Sequence, residues 1–183
     1  VNPRAEIVYD YPDGRIEYDD IEGFTFKDIK EYSSQAANYF KSLGIKKGDR
    51  VLLVLKRNYQ FWFAILGLHK LGAIAIPATN QLVVHDYEYR FNAAGVSAAI
   101  VTADGNATDY VDQAQLNSPT LKIKIVANGS KEGWHNFDEE FGLFSRRFVR
   151  DDDSACGDDP MLMLFTSGTT GYPKIATHSH KYP

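Results

Sequence analysis

The chain has 183 residues, 44% hydrophobic and 24% charged, with a formal net charge of -4. That is enough sequence for one substantial domain with a core, and the acidic balance gives no electrostatic case for nucleic acid. No apolar run approaches the roughly 20 residues that cross a bilayer. Cys156 is alone, which rules out an intrachain disulfide and fits a reducing compartment. No charged-then-apolar leader opens the sequence, which starts at Val1, and the cytoplasm is the expected location. The triplets at Asn106 and Asn128 are read as coincidental matches to a glycosylation site.

In chain order, residues 1–24 hold two short alternating runs around Pro12-Asp13-Gly14, the pattern of a β hairpin. Thr25 and Asp28 have capping-box spacing. Phe26, Ile29, Ala36, Phe40 and Leu43 then recur near helical spacing up to Gly44. From there buried strands and helices alternate: strand 50–55, helix 59–71, strand 73–77, helix 85–94, strand 98–102, helix 108–117 and strand 121–126, then a helix over 136–145. Such alternation predicts an α/β fold, a mostly parallel sheet with helices on both faces across residues 25–145. Residues 146–160, basic then acidic, read as a solvated linker. A last strand begins at Met161 and delivers the densest stretch of polar chemistry in the chain, "TSGTTGYPK".

Strand, glycine-rich loop and lysine together suit phosphate. Glycines let the backbone approach oxygens, consecutive N–H groups form an anion-binding concavity, and a lysine adds charge. Gly168 and Lys174 have the overall span of a Walker loop, yet Pro173 stands where its second glycine belongs and Ile175 where its hydroxyl belongs. "KIATHS" also alternates like a strand, so 161–183 reads as strand, loop, strand.

All nine residues from Thr166 to Lys174 match the T-S-G-[ST]-[ST]-G-x-P-K signature of the adenylate-forming superfamily, which the chain therefore resembles. The resemblance implies the front part of that superfamily's large N-terminal domain, with the small C-terminal domain beyond Pro183. It implies that Thr166, Ser167, Gly168, Thr169, Thr170, Gly171 and Lys174 hold the β- and γ-phosphates of ATP, with Lys174 acting on the reaction itself. Mg²⁺ and CoA are implied as further cofactors or substrates, and a carboxylic acid as the group activated. Pro77-x-Thr79-x-Gln81, Asp86-x-x-Tyr89-Arg90, "GWHNF" and His178-Ser179 resemble the medium-chain acyl-CoA synthetase branch. Acetyl-CoA synthetases are expected to carry CoA-holding arginines where residues 106–113 have no basic residue, which tells against close kinship with them or against CoA contacts of their kind.

Other residues receive plainer assignments. Phe61, Trp62 and Phe63 are read as core or subunit contacts, so a second copy of the chain is a candidate partner. Arg57 and Arg90 are read as surface or packing residues. His178 and His180 are spaced like metal ligands on one strand face, but no third ligand accompanies them. On this reading the chain is the front piece of a longer acyl-CoA synthetase and is expected to show no ligase turnover alone. An adenylation domain for amino or aryl acids and a truncated, non-catalytic interaction module are the alternatives.

Overall fold

The computed structural model describes residues 24–151, 154–166 and 171–182, and the backbone of 6–10 and 16–19. Two compact units follow each other, residues 1–30 and 31–183. In the first, β1 (Glu6–Asp10) and β2 (Ile16–Asp19) pair antiparallel, Glu6 opposite Asp19, with a bulge between Ile7 and Tyr9. The expected turn at Pro12-Asp13-Gly14 lies outside the described residues. Helix α1 (Phe26–Ser42) starts as its spacing predicts: the Thr25 N–H donates to the Asp28 carboxylate at 2.8 Å, and the Asp28 N–H donates to the Thr25 hydroxyl at 3.2 Å. Two N–H groups that the helix leaves unpaired are thereby satisfied.

The second unit is a sheet of β3 (Arg50–Val54), β4 (Ile74–Pro77), β5 (Ala98–Thr102), β6 (Ile123–Ala127), β7 (His135–Asn136), β8 (Pro160–Thr166) and β9 (Lys174–Ser179), in the order β7-β6-β5-β3-β4-β8-β9. Every neighbouring pair is parallel except β8 and β9. β3 is central because Val51, Leu52, Leu53 and Val54 are all buried, leaving neither face to solvent. Leu52 and Val54 join a core with Tyr87 and Phe91 of α3 (Val84–Ala94) and Val111 of α4 (Ala107–Gln115). Alternation along the strand sends Val51 and Leu53 to the opposite face. Phe63 and Leu68 of α2 (Gln60–Leu71) and Ala36 and Phe40 of α1 are also buried and stand apart from that core.

The punctuation between elements is local and legible. Gly72 ends α2 at φ 81 and Gly95 ends α3 at φ 61, both in the left-handed region. Arg50 locks the second of these ends. Its guanidinium donates to the carbonyls of Ala94 at 3.0 Å and Gly95 at 2.9 Å, so β3 holds the C-terminus of α3 in place.

The helix expected over 136–145 breaks early. Helix α5 (Phe137–Glu140) passes into a 3₁₀ turn, Phe141–Leu143. The cause lies on α1, where the Gln35 amide donates to the carbonyls of Gly142 and Phe144 and the Asn38 amide to those of Ser145 and Arg147. β7, just before α5, adds a two-residue strand. β8 differs in another way: its described side chains are half-buried or exposed rather than buried, Met163 and Phe165 packing on the α3–α4 core.

His178 and His180 take different partners. His178 tilts against Tyr182 at 4.1 Å, whereas His180, past the end of β9, meets His69 of α2 edge-on at 5.9 Å. Neither Nε2 of the His69–His180 pair has a hydrogen-bond partner among the described residues. Burial, reinforced by His180, pushes His69 down to about 4. Burial also lowers His180, with Asp159 opposing and Arg150 and Lys47 adding to the shift.

A histidine depressed from about 6.5 to about 4 stays neutral when folded but binds a proton when unfolded. Its share of stability is therefore present above pH ~6.5 and lost as pH falls toward 4. After discounting for its partial exposure, about 1–3 kcal/mol is at stake. His69→Phe should flatten the fall in urea midpoint between pH 6.5 and 4; a slope equal to the wild type's would contradict this. The depressed Asp104, Asp151 and Asp159 carboxyls act lower, below their unfolded values near 4.

Candidate phosphate-binding site

β8 runs parallel to β4, Ala75 opposite Leu162, so its C-terminus emerges at the edge where β3 to β6 also end. Open α/β sheets bind ligands along that edge. The chain returns antiparallel as β9, and at the mouth of this hairpin Thr166 stands opposite Lys174. The Thr166 hydroxyl donates to the Lys174 carbonyl at 3.4 Å. Gly171 has φ +97, a conformation that favours glycine. Lys174 is exposed and makes no ion pair among the described residues. Of the seven residues singled out from the sequence, the structure brings Thr166, Gly171 and Lys174 to this mouth, while Ser167, Gly168, Thr169 and Thr170 lie outside the described residues.

Two side chains of α3 complete the mouth. The Tyr89 hydroxyl donates to the Pro173 carbonyl at 2.8 Å, and its ring stacks on Tyr172 at 4.6 Å. The same ring meets Phe165 edge-on at 6.1 Å, and the Arg90 guanidinium lies 5.1 Å from the Phe165 ring centre. Arg90 is only 12% exposed and its Nη1 donates to the Asp86 carbonyl, so it packs, as its sequence assignment anticipates, and does not reach outward. His85, Asp86 and Tyr89 face Gly171, Tyr172 and Pro173 across a cleft of about 260 Å³. Tyr89 was visible in the sequence only as part of Asp-x-x-Tyr-Arg; its bond to Pro173 spans 84 positions, which no local pattern reveals.

The neighbouring strand ends are polar, and their charged groups are paired within the chain. Lys56 pairs with Asp104 at 3.3 Å and holds its carboxyl below the usual range. Asp138 accepts from the Gln60 amide at 2.8 Å and the Asn128 N–H at 2.6 Å. These groups are occupied with one another, whereas the Lys174 ammonium is not so paired. Beyond the hairpin, Trp62 is 59% exposed and Phe63 buried, so the three aromatics of α2 divide between surface and core.

A nine-residue signature whose described ends meet at the C-terminal edge of a mostly parallel sheet points to a class, and comparison with known proteins gives its family. The sequence model of the AMP-binding enzymes matches residues 3–183, and the chain belongs to that family. It is 36% identical over 162 residues to acyl-coenzyme A synthetase ACSM5, mitochondrial, of Rattus norvegicus, covering 85% of this chain and 27% of the relative. Human acyl-coenzyme A synthetase ACSM1, mitochondrial, is 35% identical over 159 residues, covering 86% and 27%. The chain thus spans about a quarter of the length of these curated relatives.

Among solved structures, the anthranilate CoA ligase AuaEII in complex with anthranoyl-AMP superposes with a TM-score of 0.78 at 26% identity, over 93% of this chain and 31% of that one. A Mycobacterium tuberculosis fatty acyl CoA synthetase superposes with a TM-score of 0.72 at 26% identity, over 86% and 29%. The mostly parallel seven-stranded sheet with its helices is the architecture of the N-terminal domain of adenylate-forming enzymes.

Proposed function

We propose that this chain supplies the triphosphate grip of an AMP-forming acid–thiol ligase, an enzyme of the medium-chain acyl-CoA synthetase type. A carboxylate oxygen of the acid attacks the α-phosphorus of ATP, the bond from that phosphorus to the bridging oxygen breaks, and pyrophosphate leaves. The CoA sulfur then attacks the acyl carbon, AMP departs, and the thiol proton goes to solvent. In the first step negative charge gathers on the departing pyrophosphate. Donors fixed on its oxygens therefore stabilise the transition state more than the ground state.

The observation that carries this reading is the register of the hairpin. Thr166 and Lys174, the two ends of the signature, face each other at the C-terminal edge of β8, with an exposed ammonium free of carboxylate partners among the described residues. In the proposal, Thr166, Ser167, Thr169 and Thr170 donate hydroxyl or backbone hydrogen bonds, Gly168 and Gly171 admit the phosphate oxygens, and Lys174 counters their charge. Mg²⁺ would enter with the nucleotide. Among the described residues no three His, Cys, Asp or Glu side chains gather to cage it.

The acid is assigned only as a carboxylic acid. The acyl-coenzyme A synthetase relatives and the fatty acyl CoA synthetase among the similar structures favour a fatty acid, and the anthranoyl-AMP bound to AuaEII favours an aryl acid as the second reading. The lone, exposed Cys156 fits a reducing compartment.

A thermal melt with ATP or pyrophosphate and Mg²⁺ tests the grip. Ligand at 100 times its dissociation constant should add about 2.7 kcal/mol, or roughly 5–11 °C for a chain of this size. An unchanged melting temperature with both ligands would contradict the proposal.

A further inference from the structure

We infer that Tyr89 is a positioning residue for the phosphate loop, anchoring its exit limb from outside the signature; this rests on the loop's proposed role as the triphosphate grip. One turn of α3 touches the hairpin on both sides of the loop. On the entry side, the Tyr89 ring edge and the Arg90 guanidinium flank Phe165, the residue before Thr166. On the exit side, the Tyr89 hydroxyl holds the Pro173 carbonyl and its ring stacks on Tyr172, the two residues before Lys174.

The contacts matter because of what they fix. Pro173 has no N–H and Gly171 sits at positive φ, so the backbone leading to Lys174 depends on outside partners for part of its order. A hydrogen bond at 2.8 Å and a stacked ring, both from a helix, supply them. α3 is in turn held at its C-terminus by Arg50 of the central strand. The anchor therefore runs from the sheet through α3 to the residue before the lysine. Preorganised donors spend less of their binding energy on ordering, so an anchored limb grips anions more tightly without touching them.

The test pairs two measurements on the full chain, hydrogen exchange across residues 171–174 and the dissociation constant for pyrophosphate. Tyr89→Phe keeps the ring and loses one hydrogen bond; exchange should rise and the dissociation constant should increase about fivefold, the scale of one net hydrogen bond. Tyr172→Ala, at a residue 70% exposed and so tolerant of truncation, removes the stack and should act in the same direction. Exchange within β3 should stay as in the wild type, which separates positioning from general loosening.

Unchanged exchange at 171–174 in both variants would overturn the anchor. Faster exchange with an unaltered pyrophosphate constant would overturn its positioning role. Faster exchange in a protein whose wild type does not bind pyrophosphate would support the anchor and sink the function assigned to the loop.

Discussion

Lys174→Ala should weaken pyrophosphate and ATP binding by about two orders of magnitude and abolish the thermal shift, while leaving the unliganded melting temperature nearly unchanged. The two halves follow from one fact: the ammonium is exposed and unpaired with carboxylates among the described residues. Removing an exposed side chain with no such partner alters stability by no more than about 0.5 kcal/mol. Charge-assisted hydrogen bonds to phosphate are about twice as strong as neutral ones, and one to a charged group contributes about 1.5–3 kcal/mol net, up to about two orders of magnitude in a dissociation constant.

Lys174→Arg should recover part of the affinity, since it keeps the charge while replacing a compact ammonium with a planar fork. Wild-type affinity should also fall with added salt. Isothermal titration of the three proteins with pyrophosphate, at two ionic strengths, gives all of these numbers. Equal constants for wild type and Lys174→Ala would remove the lysine from the site.

Gly67→Val should destabilise the fold by about 3 kcal/mol or more, the largest stability effect expected here from a single substitution. A Cβ at Gly67 would lie 2.9 Å from the Ala36 Cβ, 3.0 Å from the Ala37 nitrogen and 3.2 Å from the Ser33 carbonyl oxygen. Two of these are backbone atoms of α1 and cannot swing aside, so α1 and α2 must separate to admit even one methyl. Gly67→Ala is milder, because relief of glycine's helix penalty, about 1 kcal/mol, offsets part of an overpacking cost of about 1–3 kcal/mol. Gly142→Ala, where a Cβ meets nothing within 4 Å, is the control and should be near neutral. Urea unfolding of the three variants ranks them; a Gly67→Val midpoint equal to that of Gly142→Ala would contradict the close helix crossing.

What the sequence made legible was whatever is encoded locally. Strands of continuous apolar residues such as 51–54, and helices closed by Gly72 and Gly95, fall within a residue or two of their expected ends, because burial and left-handed glycines act at the positions themselves. The Thr25–Asp28 cap is equally local. The early end of α5 at Glu140 was not legible, because the groups that take up the carbonyls just beyond it, Gln35 and Asn38, are more than 100 residues earlier.

The same distinction runs through the site. The nine-residue signature can be read as a string, and the alternation of "KIATHS" foretells β9. Tyr89 and Arg90 beside the hairpin cannot, since only the sheet order β3-β4-β8 brings α3 near Phe165 and Pro173.

A crystal structure of the chain soaked with ATP or pyrophosphate tests the central claim most directly. Phosphate oxygens should lie within about 3 Å of the Lys174 ammonium and of donors in the loop that begins at Thr166. Phosphates bound at any other part of the surface, with the β8–β9 mouth left empty, would contradict it.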